Sequence, residues 1–308
     1  IFFFFSVFVR LGLWRGSLLF WGIALIVCVT HLLYVHVHLQ TKKQERLGGY
    51  AYQYLGKLGG RIASVTYPFQ ILGVNLIYLL LGGQFLAVIF SHVGIELAVL
   101  NWQALLWAIV AISVLCGMRF VMKIELSGTW LLIGSMILTA LVLTSMPTAP
   151  LSYLLRTSLA TSLFGIFLFS MFGLPVIGEV VDLVGKKPQA AFLSVGIGSL
   201  SAAALSYVFG MSLARVATDV PADAWSLQAL FPSQWWWLVP VVGFLAIMTS
   251  YLTTAQDLFK SFQLDWGFRR ERAWVLAVFP PFILLFVAQT TFLSLMDIIG
   301  SLFSATNA

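Results

Sequence analysis

The sequence predicts an all-α integral membrane protein, and three observations carry that expectation. Of its 308 residues 60% are hydrophobic and only 9% charged, against roughly 25% charged in an ordinary soluble domain. Too few polar side chains remain to cover a water-soluble fold of this size, which excludes a soluble enzyme. The apolar residues also fall in continuous runs, most of them reaching the roughly 20 residues a helix needs to cross a bilayer. Finally, Lys and Arg concentrate in every second loop between those runs. A membrane barrel is disfavoured, because its strands would alternate apolar and polar residues.

The runs have approximate limits 16–39, 61–90, 102–118, 124–146, 158–182, 188–214, 235–259, 273–289 and 291–305. Residues 1–9 (IFFFFSVFV) are apolar but rise only about 14 Å as a helix, so they read as the remnant of a first span. The chain also stops without a polar tail, and the expectation is a fragment of a single transmembrane domain over 1–308. One set of loops carries Lys42, Lys43, Arg46, Lys57 and Arg61, then Arg119 and Lys123, then Lys186 and Lys187, then Lys260, Arg269, Arg270 and Arg272. The other side holds only Arg10, Arg15, Arg156 and Arg215. The positive-inside bias places the basic loops in the cytoplasm of a multi-pass protein of the cell (inner) membrane. It also accounts for the net charge of +6 without a nucleic-acid partner. The tyrosines at 50, 52 and 54 with Leu55 suggest a short helix along the cytoplasmic face. Asp219, Pro221, Asp223 and Pro232 make 217–233 a lid or connector. Cys28 and Cys116 sit in apolar runs and imply no disulfide framework.

Chemistry is most legible in 163–184, LFGIFLFSMFGLPVIGEVVDLV. Gly173 and Pro175 interrupt an otherwise smooth apolar helix. Proline removes a backbone donor and clashes with the preceding turn, and it pushes Leu174 away from helical angles. Inside a membrane such a break is tolerated where backbone lines a cavity, as in the broken helices of transporters. A plain proline kink in a packed helix is the other reading. Glu179 and Asp182, three apart, share one face close to Lys186 and Lys187. They form either an interfacial salt-bridge cluster or a gating, proton-accepting pair. Thr249, Ser250, Thr253 and Thr254 make a hydroxyl stripe suited to a sodium ion, or to back-bonding within the helix. Asp297, an acid inside the last run, is a functional candidate by default, as a gate or simply a hydrated carboxylate. Asn75, Tyr78, Gly82 and Gly83 mark 61–90 as cavity wall or close helix packing. His31, His36 and His38 have no metal-ligand spacing. No acidic cluster, phosphate loop or zinc motif supports an enzyme.

These residues resemble the amino acid/auxin permease family of the amino acid–polyamine–organocation superfamily, in its bacterial form. The likeness is thin but runs over nearly the whole chain. It is carried by Gly49 to Lys57 leading into Gly60 and Arg61, by Phe169, Gly173 and Glu179 in the broken helix, and by Thr249 to Leu252. The resemblance implies a leucine-transporter-like inverted five-helix repeat with discontinuous helices. Substrate would sit between the unwound parts of spans 1 and 6. By position, Ser170, Met171, Phe172, Gly173 and Leu174 would face it, with Asn75 opposite. Thr249, Ser250 and Thr253 would hold an ion, and Asp297 and Glu179 would gate or carry protons. Gly178 stands where the family usually has proline, and the span 1 break is missing.

The expected function is secondary active transport of an amino acid by alternating access, with apolar or aromatic substrates favoured by Met171 and Phe172. No cofactor is implied beyond a coupling ion, Na+ or H+. The expected partners are the amino acid substrate and the lipid bilayer. A non-transporting sensor or partner-binding subunit that keeps the fold is the alternative.

Overall fold

A computed structural model describes residues 4–148, 164–185, 187–217, 228, 231–287, 299, 301 and 305–307. Among these the regular structure is helical: α1 (Phe4–Leu11), α2 (Leu13–Gln40), α3 (Leu47–Ser91), α4 (Val99–Cys116), α5 (Met118–Thr144), α6 (Phe164–Met171), α7 (Leu174–Leu183), α8 (Pro188–Val216), α9 (Leu238–Leu264), α10 (Arg270–Leu284) and the short α11 (Ala305–Asn307). Among the described residues seven helical segments are long and apolar enough to cross a membrane, counting α6 and α7 as one. The protein is thus a multi-pass membrane protein. The run expected at 291–305 lies largely outside the described residues, as do Asp297 and most of the 217–233 connector.

Local sequence explains where the helices stop. Gly12, at φ 79°, is the only residue between α1 and α2. Gly117, at φ 88°, similarly separates α4 from α5. Both conformations are ones that side-chain-bearing residues seldom adopt. The expected helix around Tyr50–Leu55 forms and runs on into the next span, but Gly56 (φ 73°, ψ −168°) kinks the two apart. Tyr50 is buried while Tyr52, Tyr54, Leu55 and Leu58 are exposed. That segment is therefore amphipathic.

The helices sort into two groups. In the first, α2 packs on α8, α7 and α6, and α1 on α8, α2 and α6. Its centre is aromatic: the Phe20 ring lies 5.3 Å from those of both Phe167 and Tyr207, and the Phe8 ring 5.9 Å from Phe167. Ser17 and Tyr207 hydrogen-bond across it at 2.9 Å. In the second group α3 packs on α9, α4 and α10, and α9 on α10 and α4. α5 bridges the groups, lying against both α9 and α8. Apolar burial cannot by itself select this arrangement, since lipid is as apolar as the core. Close packing and interhelical polar contacts do.

Candidate functional site

The helix expected to break does break. α6 ends at Met171 and α7 starts at Leu174, with Pro175 in its first turn, where the missing N–H costs nothing. Phe172 and Gly173 form the joint. A cavity of about 310 Å³ opens beside it, lined by α2, the joint and α8. That is the lower end of the roughly 300–1,000 Å³ typical of small-molecule pockets. Ser170, Met171, Phe172 and Gly173, four of the residues that the resemblance would turn towards a substrate, line it. The Ser170 hydroxyl has no hydrogen-bond partner among the described residues. Leu174 is buried and Asn75 lies elsewhere, so neither lines this cavity.

The joint is not bare, however. The Gly173 N–H donates to His31 Nε2 at 3.1 Å, and His31 Nδ1 lies 2.9 Å from Ser199 Oγ on α8. His31 is 4% exposed and also lines the cavity. A Cβ on Gly173 would come within 2.9 Å of His31 Cε1, so only glycine lets the imidazole approach the backbone this closely. On the other side, Phe172 faces Tyr67 of α3, ring centroids 6.4 Å apart. The joint thus touches both helix groups.

Asn75 and the hydroxyl stripe meet where α3 packs on α9. Thr254 Oγ1 donates to Asn75 Oδ1 at 2.6 Å, while the Asn75 amide nitrogen has no partner among the described residues. Thr249 Oγ1 donates to the carbonyl of Leu245 at 3.0 Å, and Thr253 Oγ1 to that of Thr249 at 3.1 Å. Thr254 Oγ1 also lies 2.9 Å from the carbonyl oxygen of Ser250. This hydroxyl stripe therefore stands in the back-bonded form. Its Thr249 methyl packs where α5 offers Gly128.

Glu179 belongs to an ionic cluster at the basic end. Its Oε1 accepts from both Arg46 Nη2 and Lys260 Nζ. Arg46 Nε lies 3.3 Å from Asp257 Oδ1, an ion pair by distance without hydrogen-bond alignment. Asp257 is held from behind by Tyr67 Oη at 2.5 Å. Arg46 is 4% exposed and Asp257 3%. Burial acts against the Arg46 charge, but the two carboxylates outweigh it and hold the guanidinium above its ordinary value. Gly178 makes room for it, since a Cβ there would overlap Arg46 Nη1. Beside this cluster His38 links Tyr50 (3.0 Å) to Asp182 (3.4 Å), and Gln44 donates to the same carboxylate. The sequence reading counted Arg46 and Lys260 only as topology signals. Arg46 departs from its basic neighbours in preceding a Leu-Gly-Gly run.

Asp265, just past α9, accepts the Arg46 backbone N–H at 2.7 Å, with the Gly49 amide close enough to favour its charge. It caps the start of α3 from another helix. Burial raises its pKa, although those amides pull the other way. Asp265→Ala should cost about 1–2 kcal/mol, read as a lower unfolding midpoint in a fixed detergent.

His31 is a further candidate beyond Arg46 and Lys260, since the sequence offers it only as a metal ligand without the spacing for one. Its distance from the joint, 142 residues along the chain, leaves no sequence signal. No protein-family model matches this chain and no curated protein matches its sequence, so the functional reading rests on the geometry of the joint and the ionic cluster.

Proposed function

We propose that the chain is the transport domain of a secondary carrier for an amino acid, working by alternating access. One observation carries the reading: a membrane helix interrupted at Phe172–Gly173 beside a cavity of small-molecule size. An unwound helix at bilayer depth exposes peptide dipoles that suit the two ends of a zwitterion. The inverted five-helix repeat is supported by pairing in space. If α6 with α7 is span 6, then α2 packs on α8, α3 on α9 and α4 on α10. Among the described residues, spans 2, 3 and 4 then each meet the counterpart five positions on. The same count puts spans 1, 2, 6 and 7 in one helix group and 3, 4, 8 and 9 in the other.

In this reading the basic loops face the cytoplasm. The Arg46–Glu179–Lys260–Asp257 cluster joins α7 to α9 and the start of α3, and so closes the route on that side. Opening inward separates Glu179 from its cationic partners. Met171 and Phe172 give the cavity an apolar side, which favours apolar or aromatic side chains.

The test is uptake into proteoliposomes of a mixture of radiolabelled L-amino acids, under imposed sodium or proton gradients. Accumulation driven by one of them is expected. Binding without flux would instead favour the sensor reading, and neither binding nor flux would end both. If sodium drives uptake, Ser250→Ala should weaken the sodium dependence by about tenfold, the worth of about 1.4 kcal/mol. Uptake indifferent to sodium removes the ion role of Thr249, Ser250 and Thr253 and leaves the proton.

A further inference from the structure

We propose that His31 is a proton-binding site that trades the Gly173 amide for a carboxylate. The inference deepens the carrier reading and rests on it for the identity of the ligand. A backbone N–H can only donate, so the Nε2 atom that receives it must carry a lone pair. A neutral His31 therefore has its proton on Nδ1, and Ser199 Oγ, 2.9 Å away, is the acceptor. The arrangement fixes a single tautomer at both ring nitrogens.

Adding one proton at Nε2 turns that acceptor into a donor. The hydrogen bond to Gly173 is then replaced by two opposed N–H groups, and it is lost. Two things appear in the cavity together: an unengaged amide at the start of α7 and an imidazolium beside it. Both are complementary to a carboxylate, which can accept from each. The Ser170 hydroxyl, without a partner among the described residues and lining the same space, supplies a third donor. The neutral imidazole, by contrast, occupies the amide and offers the anion nothing. Proton and carboxylate thus bind together, and no covalent bond changes apart from that N–H.

Among the described residues that line the cavity, nothing else competes for the role. His31 is the only titratable side chain among the residues lining it from α2, α6, α7 and α8. On α2, His36 is exposed and His38 is tied to Tyr50 and Asp182. Arg15 of α2 and Arg10 of α1 lie near the far end of α2, roughly 24–27 Å along its axis. On α7, Glu179 is held by Arg46 and Lys260, and Asp182 by His38 and Gln44. Lys187, just before α8, and Arg215 within it are roughly 18 and 24 Å along that helix axis from Ser199.

The experiment is an NMR pH titration of the full chain in nanodiscs, with 15N-histidine and 15N-glycine labels. His31→Gln assigns the imidazole signal. Propionate is the probe, since it offers a carboxylate without an ammonium. The expected result at neutral pH is His31 in the Nδ1–H tautomer, with the Gly173 amide shifting in step as His31 protonates. Propionate at tenfold over its dissociation constant should move the titration midpoint up by about one pH unit, because the anion binds the protonated form. Ser199→Ala, which removes the Nδ1–H acceptor, should raise the share of the Nε2–H tautomer. An Nε2–H tautomer in the unaltered protein, or a midpoint indifferent to propionate, would overturn the proposal. Failure of amino acid uptake with the propionate response intact would instead count against the carrier reading alone.

Discussion

Arg46→Met is expected to destabilise the protein by about 3–5 kcal/mol, the usual cost of stripping the partner from a buried charge. Methionine fills much of the same volume but leaves Asp257 without its cation and Glu179 with Lys260 alone. The check is the thermal unfolding midpoint in one detergent, for the single variant and for Arg46→Met with Asp257→Asn. The double variant should recover part of the loss, since removing both members of a buried pair costs less than removing one. Equal midpoints for wild type and Arg46→Met would mean that the cluster is wet and weakly coupled. If the cluster also closes the route, the variant should leak substrate from loaded proteoliposomes faster than wild type.

Gly173→Leu is expected to reduce substrate binding on the order of a hundredfold, the scale of loss when a binding group is displaced by about an ångström. The first carbon of the new side chain already meets His31 Cε1 at 2.9 Å, and the rest must enter the cavity. The helix joint can persist, because Gly173 has φ −113° and ψ 7°, which other residues can adopt. Expression and gel-filtration behaviour should therefore stay close to wild type while binding of radiolabelled amino acid falls. Gly173→Ala should fall between the two. Binding by the leucine variant at wild-type strength would remove the joint from the substrate site.

Much of the fold was legible because the signals are local. The ends of α2, α4 and α8 fall within about three residues of the hydropathy limits, and glycines supply the sharp joints at 12, 56 and 117. The break at 172–173 was legible for the same reason: Gly173 and Pro175 act on their own backbone. The glycine at 178 also has a physical reason, since a side chain there would displace the Arg46 guanidinium. What escaped the sequence is long-range partnership. Nothing near Arg46 announces Asp257 or Glu179, and nothing near His31 announces Gly173. The hydroxyls at 249–254 show the converse limit. Their spacing permits an ion site and back-bonding equally, and only coordinates reveal which carbonyls they have taken.

The single residue linking α1 to α2, and the Phe8–Phe20–Phe167–Tyr207 knot that joins those helices to α6 and α8, have a kinematic consequence. His31, Ser199 and Gly173 all ride on the same welded block. If that block moves as one body against its neighbour in a carrier cycle, the distances among the three stay untouched and the motion alone does not undo the imidazole's hold. Only a change of chemical state within the block can, which would keep loading and tilting as separable strokes of one cycle.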